Sequence, residues 1–312
     1  MKKLIIALMA CMMTTMMNAE IKVLSIEPLK GTENQGFYHP KFSPKGKYLL
    51  FSTMSYKGLM MYDLATQEMK QLTGAENAGY ETQISDGGKV VVYRDVEYVN
   101  NRRYTSIKRI VVETGDIQVV DEPSREKYAF DFSGGTIHIA KHKMIRSKRL
   151  VTDIRPVEAN YVVAIEDMNL VLYTNNVRKV LNPQGKGSYV WPVISPDKKH
   201  IVYTVTQGDA FGTYVCDMQG ENAVSLGYIG APQWLGNEYI VGMLDLWDDG
   251  YKYTRSPIVT SKIDGTNRQV IEVPNHEVIL YPTASVKGDM IAFETEGTVY
   301  VDGKDVKQPE NV

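Results

Sequence analysis

The residues best suited to contact another molecule lie in one stretch, LDLWDDGYKYTR, at positions 244–255. Its aromatic and acidic members are Trp247, Tyr251, Tyr253, Asp245, Asp248 and Asp249. Aromatic rings bordered by charges suit an apolar anchor with a charged rim, or stacking on a sugar ring. The alternative interpretation is a long polar hairpin whose aromatic residues pack on neighbouring strands.

The carboxylates of this stretch raise the question of metal binding and catalysis. Calcium prefers several oxygen ligands, which Asp245, Asp248 and Asp249 could supply, but their spacing is not that of an EF-hand. We therefore predict no metal and no cofactor. A hydrolase or lyase would need paired carboxylates facing one cavity, for which Asp245, Asp248 and Glu81 are the candidates.

Known catalytic motifs are missing from the sequence. It contains no Gly-x-Ser-x-Gly elbow and no His-Glu-x-x-His motif, and its five histidines are scattered along the chain. The sequence thus favours a protein without catalytic residues.

Two further stretches are longer than a tight turn requires, residues 95–104 and the stretch from His142 to about Tyr161. The segment DVEYVNNRRY, residues 95–104, offers Tyr98, Arg102 and Arg103 as candidate binding residues. The run KHKMIRSKR, residues 141–149, places five Lys or Arg residues in nine positions. It indicates a solvated hairpin, or a basic surface that faces the acidic 244–255 stretch across a channel mouth or receives an acidic partner.

A repeated phrase indicates the scaffold that positions these stretches. KFSPKGKYLLFS recurs as QISDGGKVVVYR, VISPDKKHIVYT and ASVKGDMIAFET, with looser copies near Ser133 and Gly236. From Ser43 to Ser285 the average spacing is about 48 residues, the size of a four-stranded propeller blade. Each copy continues with a strand and a turn rich in Asp, Asn and Gly, which favours hairpins.

The repeats predict an all-β fold, a six-bladed β-propeller formed by one domain over residues 20–312. The predicted blades lie near 38–73, 80–120, 128–183, 188–227, 229–273 and 278–308. A strand at 21–27 is expected to complete the last blade and so remove a free sheet edge. The interval from Ser133 to Ser195 is 62 residues, which leaves open a seventh blade around 160–176, although six blades are preferred.

The first strand of a propeller blade lines the central channel, which adds His39 and Trp191 to the candidate binding residues. The other first-strand candidates are Tyr38, Glu81, Asp131 and Trp234. For Trp191 and Trp234, packing at the inner end of the blade is the competing interpretation.

The aromatic-proline entry, the Phe-Ser-Pro-x-Gly-Lys turn at 42–47 and the Asp-containing hairpin resemble the WD40-like (PD40) repeat of TolB-type six-bladed propellers. The resemblance is clearest at 38–73 and 189–226. It implies the fold but no particular activity. TolB also has an additional N-terminal domain that this sequence lacks, so its role in the envelope does not follow.

The first nineteen residues, MKKLIIALMACMMTTMMNA, are typical of a cleaved bacterial export signal. A lipoprotein signal ending before Cys11 is the less favoured alternative. Removing Lys2 and Lys3 leaves 35 − 2 = 33 basic and 37 acidic residues, a net charge of −4. This balance does not suggest nucleic acid as a partner. Cys216 alone remains in the mature chain and is predicted to be a buried, unreactive residue.

We therefore expect a periplasmic or extracellular protein, monomeric and without a transmembrane segment. It would present a loop face to an envelope protein, a peptide or a glycan. The alternative is a hydrolase or lyase that acts on an envelope polymer from the channel.

Overall fold

The computed structural model describes residues 21, 23, 25–32, 36–126, 128–141, 143–152, 161–175, 177–295 and 298–301. Within these ranges the regular structure is β, apart from one 3-10 turn at Met54–Tyr56. The predicted export signal at 1–19, His142 and the segment 302–308 of the last predicted blade lie outside the described residues.

Two four-stranded meanders begin the fold, and each follows chain order from the innermost to the outermost strand. Sheet 1 comprises β1 (Phe37–Phe42), β2 (Tyr48–Thr53), β3 (Lys57–Asp63) and β4 (Met69–Thr73). Sheet 2 comprises β5 (Gln83–Ile84), β6 (Val90–Val99), β7 (Arg102–Val111) and β8 (Ile117–Ser124).

Two three-stranded sheets follow. Sheet 3 comprises β9 (Ala129–Ser133), β10 (Thr136–Lys141) and β11 (Met144–Arg149). Sheet 4 comprises β12 (Tyr161–Glu166), β13 (Asn169–Thr174) and β14 (Val177–Val180).

The remaining strands form three sheets and a small separate hairpin. Sheet 5 comprises β15 (Ser188–Ile194), β16 (His200–Gln207), β17 (Ala210–Asp217) and β18 (Val224–Ser225). Sheet 6 comprises β19 (Gly230–Leu235), β20 (Tyr239–Met243), β23 (Ile258–Lys262) and β24 (Gln269–Ile271). The strands β21 (Trp247–Asp248) and β22 (Tyr253–Arg255) form a separate hairpin in the connection between β20 and β23. Sheet 7 comprises β25 (Leu280–Ala284), β26 (Ile291–Thr295) and β27 (Thr298–Val301).

The serine of the repeated phrase forms the corner between the first and second strands. Ser43 Oγ accepts hydrogen bonds from the backbone N–H groups of Lys47 and Tyr48, at 3.0 and 3.1 Å. Ser195 Oγ does the same for Lys199 and His200. Because the hydroxyl satisfies N–H groups that the turn leaves unpaired, the phrase recurs wherever this corner is needed.

Apolar clusters lie between neighbouring sheets and define a ring. One cluster joins sheets 1 and 2 through Leu50 and Tyr93, and another joins sheets 5 and 6 through Val202 and Ile240. A further cluster joins sheet 7 to sheet 1 through Ala292. Each sheet therefore buries both faces on its neighbours, which a single four-stranded sheet cannot do.

The all-β class and the propeller arrangement of six repeat units are confirmed, with one structural difference in the third unit. The described part of residues 128–183 contains two sheets, so that seven sheets of the described chain form the ring, besides the β21–β22 hairpin. Sheet 4 packs on sheet 3 through Val162 and Tyr173, and on sheet 5 through Leu170 and Leu172. Its strands alternate apolar residues toward both neighbours, so it serves as a layer of its own rather than as the closing hairpin of the preceding sheet.

The N-terminal segment lies beside sheets 6 and 7, but the described part of 21–27 forms no named strand that would complete the last blade. Ile21 and Ile26 instead pack against the apolar cluster between sheets 6 and 7. The Ile21 backbone N–H donates to the Gln269 side-chain oxygen at 3.0 Å. In the described part of 21–27, side-chain packing rather than strand pairing holds the segment in place.

Candidate functional site

The ring has one face, called here the mouth face, where the first strands begin and the hairpins between second and third strands turn. In sheet 1 the start of β1 pairs with the end of β2, Phe37 opposite Thr53. Sheet 5 repeats this arrangement with Ser188 opposite Thr206. The predicted binding stretches 95–104 and 244–255 both belong to such hairpins, so the mouth face is the candidate binding surface.

Five sheets present a side chain from a strained backbone position at the start of the first strand. These residues, called here the mouth positions, are His39, Glu81, Trp191, Ala231 and Tyr281, with φ between 45° and 58°. In sheets 1, 5, 6 and 7 the position coincides with a shift in strand register and is followed by proline. Bulky residues rarely adopt positive φ, and such strain is common at functional sites.

Two mouth positions belong to a continuous chain of rings, called here the aromatic arc: Tyr281, His39, Tyr56 and Tyr80. The His39 ring stacks on Tyr56 with centroids 4.2 Å apart and meets Tyr281 edge-on at 4.5 Å. Tyr56 meets Tyr80 edge-on at 5.2 Å. The arc spans sheets 7, 1 and 2, and Tyr80 is 39% exposed.

Beneath the arc lies Glu294, a residue that the sequence analysis did not select. Its carboxyl Oε2 accepts a hydrogen bond from the His39 backbone N–H at 2.7 Å, while the buried Oε1 has no hydrogen-bond partner. Burial raises the pKa of Glu294 to about 8 and lowers the pKa of His39 to about 4. Both groups are therefore mostly uncharged at neutral pH.

The 244–255 stretch forms the small hairpin of β21 and β22 above the mouth face. Trp247 is 39% exposed, and the Arg255 guanidinium lies over its ring, 4.7 Å from the centroid. Arg255 also bonds Glu272. Tyr251 at the tip is 97% exposed. The structure thus leaves these aromatic surfaces available instead of packing them on the neighbouring strands.

The acidic residues of this hairpin hold its shape. Asp249 Oδ1 accepts the backbone N–H groups of Tyr251 and Lys252, both at 3.0 Å, and these bonds lower the pKa of Asp249. Asp248 Oδ1 accepts the Gly250 N–H at 2.9 Å. At the base, Asp245 accepts hydrogen bonds from the Tyr228 hydroxyl, at 2.8 Å, and from the Tyr253 hydroxyl. In the described part of the chain no group of three or more Asp, Glu, His or Cys residues is placed to hold a metal.

A second hairpin projects from sheet 2. Tyr98 pairs with Arg103 across β6 and β7, and Arg102 follows the turn. Tyr98 is 69% exposed, and both arginines are exposed. These three predicted residues lie together, and the Arg103 charge reaches Tyr80 of the aromatic arc, where it partly opposes the burial that raises the pKa of that tyrosine.

The two tryptophans of the first strands differ. Trp191 occupies a mouth position and is 39% exposed. Trp234 is buried, and its indole N–H donates to the Val193 carbonyl at 3.0 Å. Trp234 is therefore a packing residue between sheets 5 and 6, whereas Trp191 presents its ring at the mouth.

Charged residues meet inside the channel. Lys41 Nζ donates to the Thr82 carbonyl at 2.6 Å, and burial lowers the pKa of Lys41. Lys198 reaches Asp131 at 3.3 Å, which links sheets 5 and 3 past sheet 4. Near the mouth, Glu81 forms an ion pair with the buried Arg94 at 2.7 Å. The two first-strand carboxylates selected from the sequence, Glu81 and Asp131, are thus engaged with cations.

The basic run 141–149 belongs mostly to β11, the outermost strand of sheet 3. Lys141 pairs with Asp121 of sheet 2 at 3.0 Å. The run therefore starts at the mouth-face hairpin between β10 and β11 and continues along the third strand of sheet 3, away from the central channel. Cys216, as predicted, is buried in an apolar cluster, and burial raises the pKa of its thiol to about 12.

The fold and the mouth face define a β-propeller of the TolB type. TolB from Acinetobacter baumannii superimposes with a TM-score of 0.55 at 14% identity, over 80% of this chain and 57% of that one. A TolB-like protein from Agrobacterium tumefaciens gives a TM-score of 0.55 at 16% identity, over 90% of this chain and 98% of that one. An oligogalacturonate lyase in complex with manganese gives a TM-score of 0.52 at 12% identity, over 89% and 79% of the two chains.

No protein-family model and no curated protein matches the sequence. This chain spans 57% of the length of the Acinetobacter TolB. At these identities the likeness is one of fold alone. Within the described residues, no helix has the length and apolar character needed to cross a membrane.

Proposed function

We propose that the protein is an exported binding propeller without catalytic residues, which holds an envelope protein, peptide or glycan on its mouth face. The observation that carries the proposal is the exposure of Trp247, Tyr251 and Tyr253 on a hairpin that its own acidic residues shape. A solvent-exposed aromatic group on a preformed support binds at a low cost in conformational entropy.

The contacts of the carboxylates support binding over the hydrolase or lyase alternative. Asp245 bonds two tyrosine hydroxyls, Asp248 bonds its own turn, and Glu81 is paired with Arg94. Each of the three carboxylates selected from the sequence has a structural partner, which leaves it poorly placed as a general acid or base. The export signal predicted at residues 1–19 and the TolB-type fold support a periplasmic location, and we propose a monomer.

Site-specific photo-cross-linking in cells tests this function. A benzophenone amino acid replaces Tyr251 at the hairpin tip, and in a matched control it replaces Ile117, which is 46% exposed on the outermost strand of sheet 2. We expect one discrete cross-linked species from position 251, absent from position 117 and strongly reduced by Trp247→Ala. Identical species from both positions, or none from position 251, would contradict the proposal.

A further inference from the structure

The aromatic arc at the mouth is a preformed surface. Its rings touch one another at centroid distances of 4.2–5.2 Å, so each ring limits the rotation of the next. The backbone under His39 and Tyr281 is fixed by the proline that follows each residue, and the Glu294 carboxyl anchors the His39 N–H. A ligand that settles on this arc has few side chains to reorganise.

The arc carries little net charge at neutral pH. Burial lowers the pKa of His39 to about 4 and raises the pKa of Tyr56 to about 12, so both rings are neutral. The Glu294 carboxyl behind them is mostly protonated. Glu81 and Arg94 neutralise each other at 2.7 Å, and the Arg94 guanidinium also donates to the Tyr80 and Tyr128 carbonyls.

These properties select among ligand chemistries. An anionic ligand would need a cation with unused donors beside the rings. Arg94, the cation over Tyr80, is already bonded to two carbonyls and a carboxylate. Arg103, whose charge also reaches Tyr80, lies on the exposed hairpin of β6 and β7 and stacks on none of the four rings. A cationic ligand would need an unpaired carboxylate, and Glu81 is paired. Aromatic faces edged with hydroxyl groups instead match a pyranose ring, which offers an apolar C–H face and a rim of hydroxyls.

We propose that the aromatic arc, Tyr281, His39, Tyr56 and Tyr80, is a binding site for a neutral oligosaccharide, held by stacking and by hydrogen bonds to the tyrosine hydroxyls. Trp191, which occupies the corresponding mouth position of sheet 5, supplies a further stacking surface for a longer chain. The inference rests on the proposed binding function and names the ligand class for the mouth.

Isothermal titration calorimetry on the mature protein at pH 7 tests the site with four probes of similar length. Maltotetraose and tetra-N-acetylchitotetraose are uncharged, tetragalacturonate is anionic, and the fully deacetylated chitosan tetramer is partly protonated and therefore cationic. We expect binding of at least one uncharged probe, and weaker or no binding of the two charged ones. Failure of both uncharged probes, or a clear preference for a charged one, would overturn the proposal.

Variants assign the binding to the arc. Tyr80→Ala is expected to weaken binding about tenfold or more, while Tyr80→Phe, which keeps the ring, loses much less. Trp191→Ala provides a second test that does not touch the packed rings. Ile117→Ala, on the outermost strand of sheet 2 and outside the proposed binding surface, is the matched control and should bind as the wild type does. Equal binding by Tyr80→Ala, Trp191→Ala and the wild type would contradict the assignment.

The cross-linking experiment separates the two conclusions. A partner captured from position 251 by a protein that binds no oligosaccharide would leave the proposed function intact and reject the sugar site. If position 251 captures no partner and the protein binds no oligosaccharide, both the proposed function and the sugar site are rejected.

Discussion

Two boundaries between sheets use the same position of the second strand in different ways. One lies between sheets 5 and 6, and the other closes the ring between sheets 7 and 1. Thr204 stands opposite Val190 in sheet 5, and Glu294 stands opposite Leu280 in sheet 7. Both side chains reach the backbone at the beginning of the next sheet. One boundary is bridged by hydroxyl groups and the other by an ionisable carboxyl.

At the boundary of sheets 5 and 6 every bridging group has a partner. The hydroxyls of Thr204 and Thr213 lie 2.9 Å apart. Thr213 Oγ1 lies 2.8 Å from the Ile229 carbonyl and accepts the Ile229 N–H at 3.0 Å. None of these groups titrates in the physiological range, so the strength of this boundary should not depend on pH.

At the ring closure, Glu294 satisfies only one of its oxygens and is 1% exposed. Because burial disfavours the ionised form, its pKa rises to about 8. The comparison shows that the same strand position can bridge two sheets with a hydroxyl, as Thr204 does, or with an ionisable carboxyl, as Glu294 does. The pH-sensitive bridge lies where the ring closes.

The largest expected effect is a loss of stability with rising pH. The folded-state pKa of Glu294 is above its unfolded value of 4.5. The contribution of the protonated carboxyl to the free energy of unfolding is therefore fully present below pH 4.5 and is lost as pH rises through 8. At about 1.4 kcal/mol per pKa unit the full range amounts to as much as ~5 kcal/mol. His39, whose pKa is lowered to about 4 from 6.5, opposes this trend below pH 6.5.

Between pH 6.5 and 8 the opposing effect of His39 is small, so the change in the free energy of unfolding mainly reports the ionisation of Glu294. Urea unfolding should show that the wild type loses about 2 kcal/mol across this interval. Glu294→Gln, which keeps an acceptor for the His39 N–H and cannot ionise, should remove most of the slope. An equally steep decline in the Gln variant would assign the slope to other groups.

A smaller, pH-independent loss is expected at the boundary of sheets 5 and 6. Thr213→Val preserves the shape of the side chain but leaves the buried Ile229 N–H without an acceptor, at a cost of about 1–3 kcal/mol. The same urea titrations at pH 6.5 and 8 should give the same loss. A loss that changes with pH would break the distinction between the two boundaries.

The smallest effect should come from Thr204→Val. Thr204 shares one good hydrogen bond with Thr213, while its contact with the Ile229 carbonyl is long at 3.4 Å. Thr213 retains its own bonds to Ile229, so the cost should be about 0.5–1.5 kcal/mol in thermal or urea unfolding. A cost above that of Thr213→Val would show that Thr204, and not Thr213, is the main bridge.

The sequence predicted the parts of the fold that depend on local chemistry. The serine corners at Ser43, Ser85, Ser195 and Ser285 each use a hydroxyl and the N–H groups four or five residues later, so their signal fits within a short window. Sheets 3 and 4 were harder to separate. The 62-residue interval showed that extra chain was present, but only packing on both sides of Val162 and Leu170 shows that it forms a separate layer.

The candidate site was predictable to a similar extent. The exposed hairpin of Trp247 and Tyr251 was found because its composition is unusual, and His39 and Trp191 were found because the first strand of a propeller blade lines the channel. Glu294 was missed because it reads as one position of an alternating strand, while its partner, His39, is 255 residues away. The aromatic arc likewise depends on contacts among three sheets, which no local pattern encodes.

The mouth positions have a consequence for engineering. Sheets 1, 5, 6 and 7 share a positive φ followed by proline there, and they carry histidine, tryptophan, alanine and tyrosine. The same strand geometry therefore accepts very different side chains at this point. Ala231 is buried and leaves no room for a larger ring, whereas the exposed Trp191 can be exchanged for another aromatic residue to change ligand selectivity without redesigning the strands.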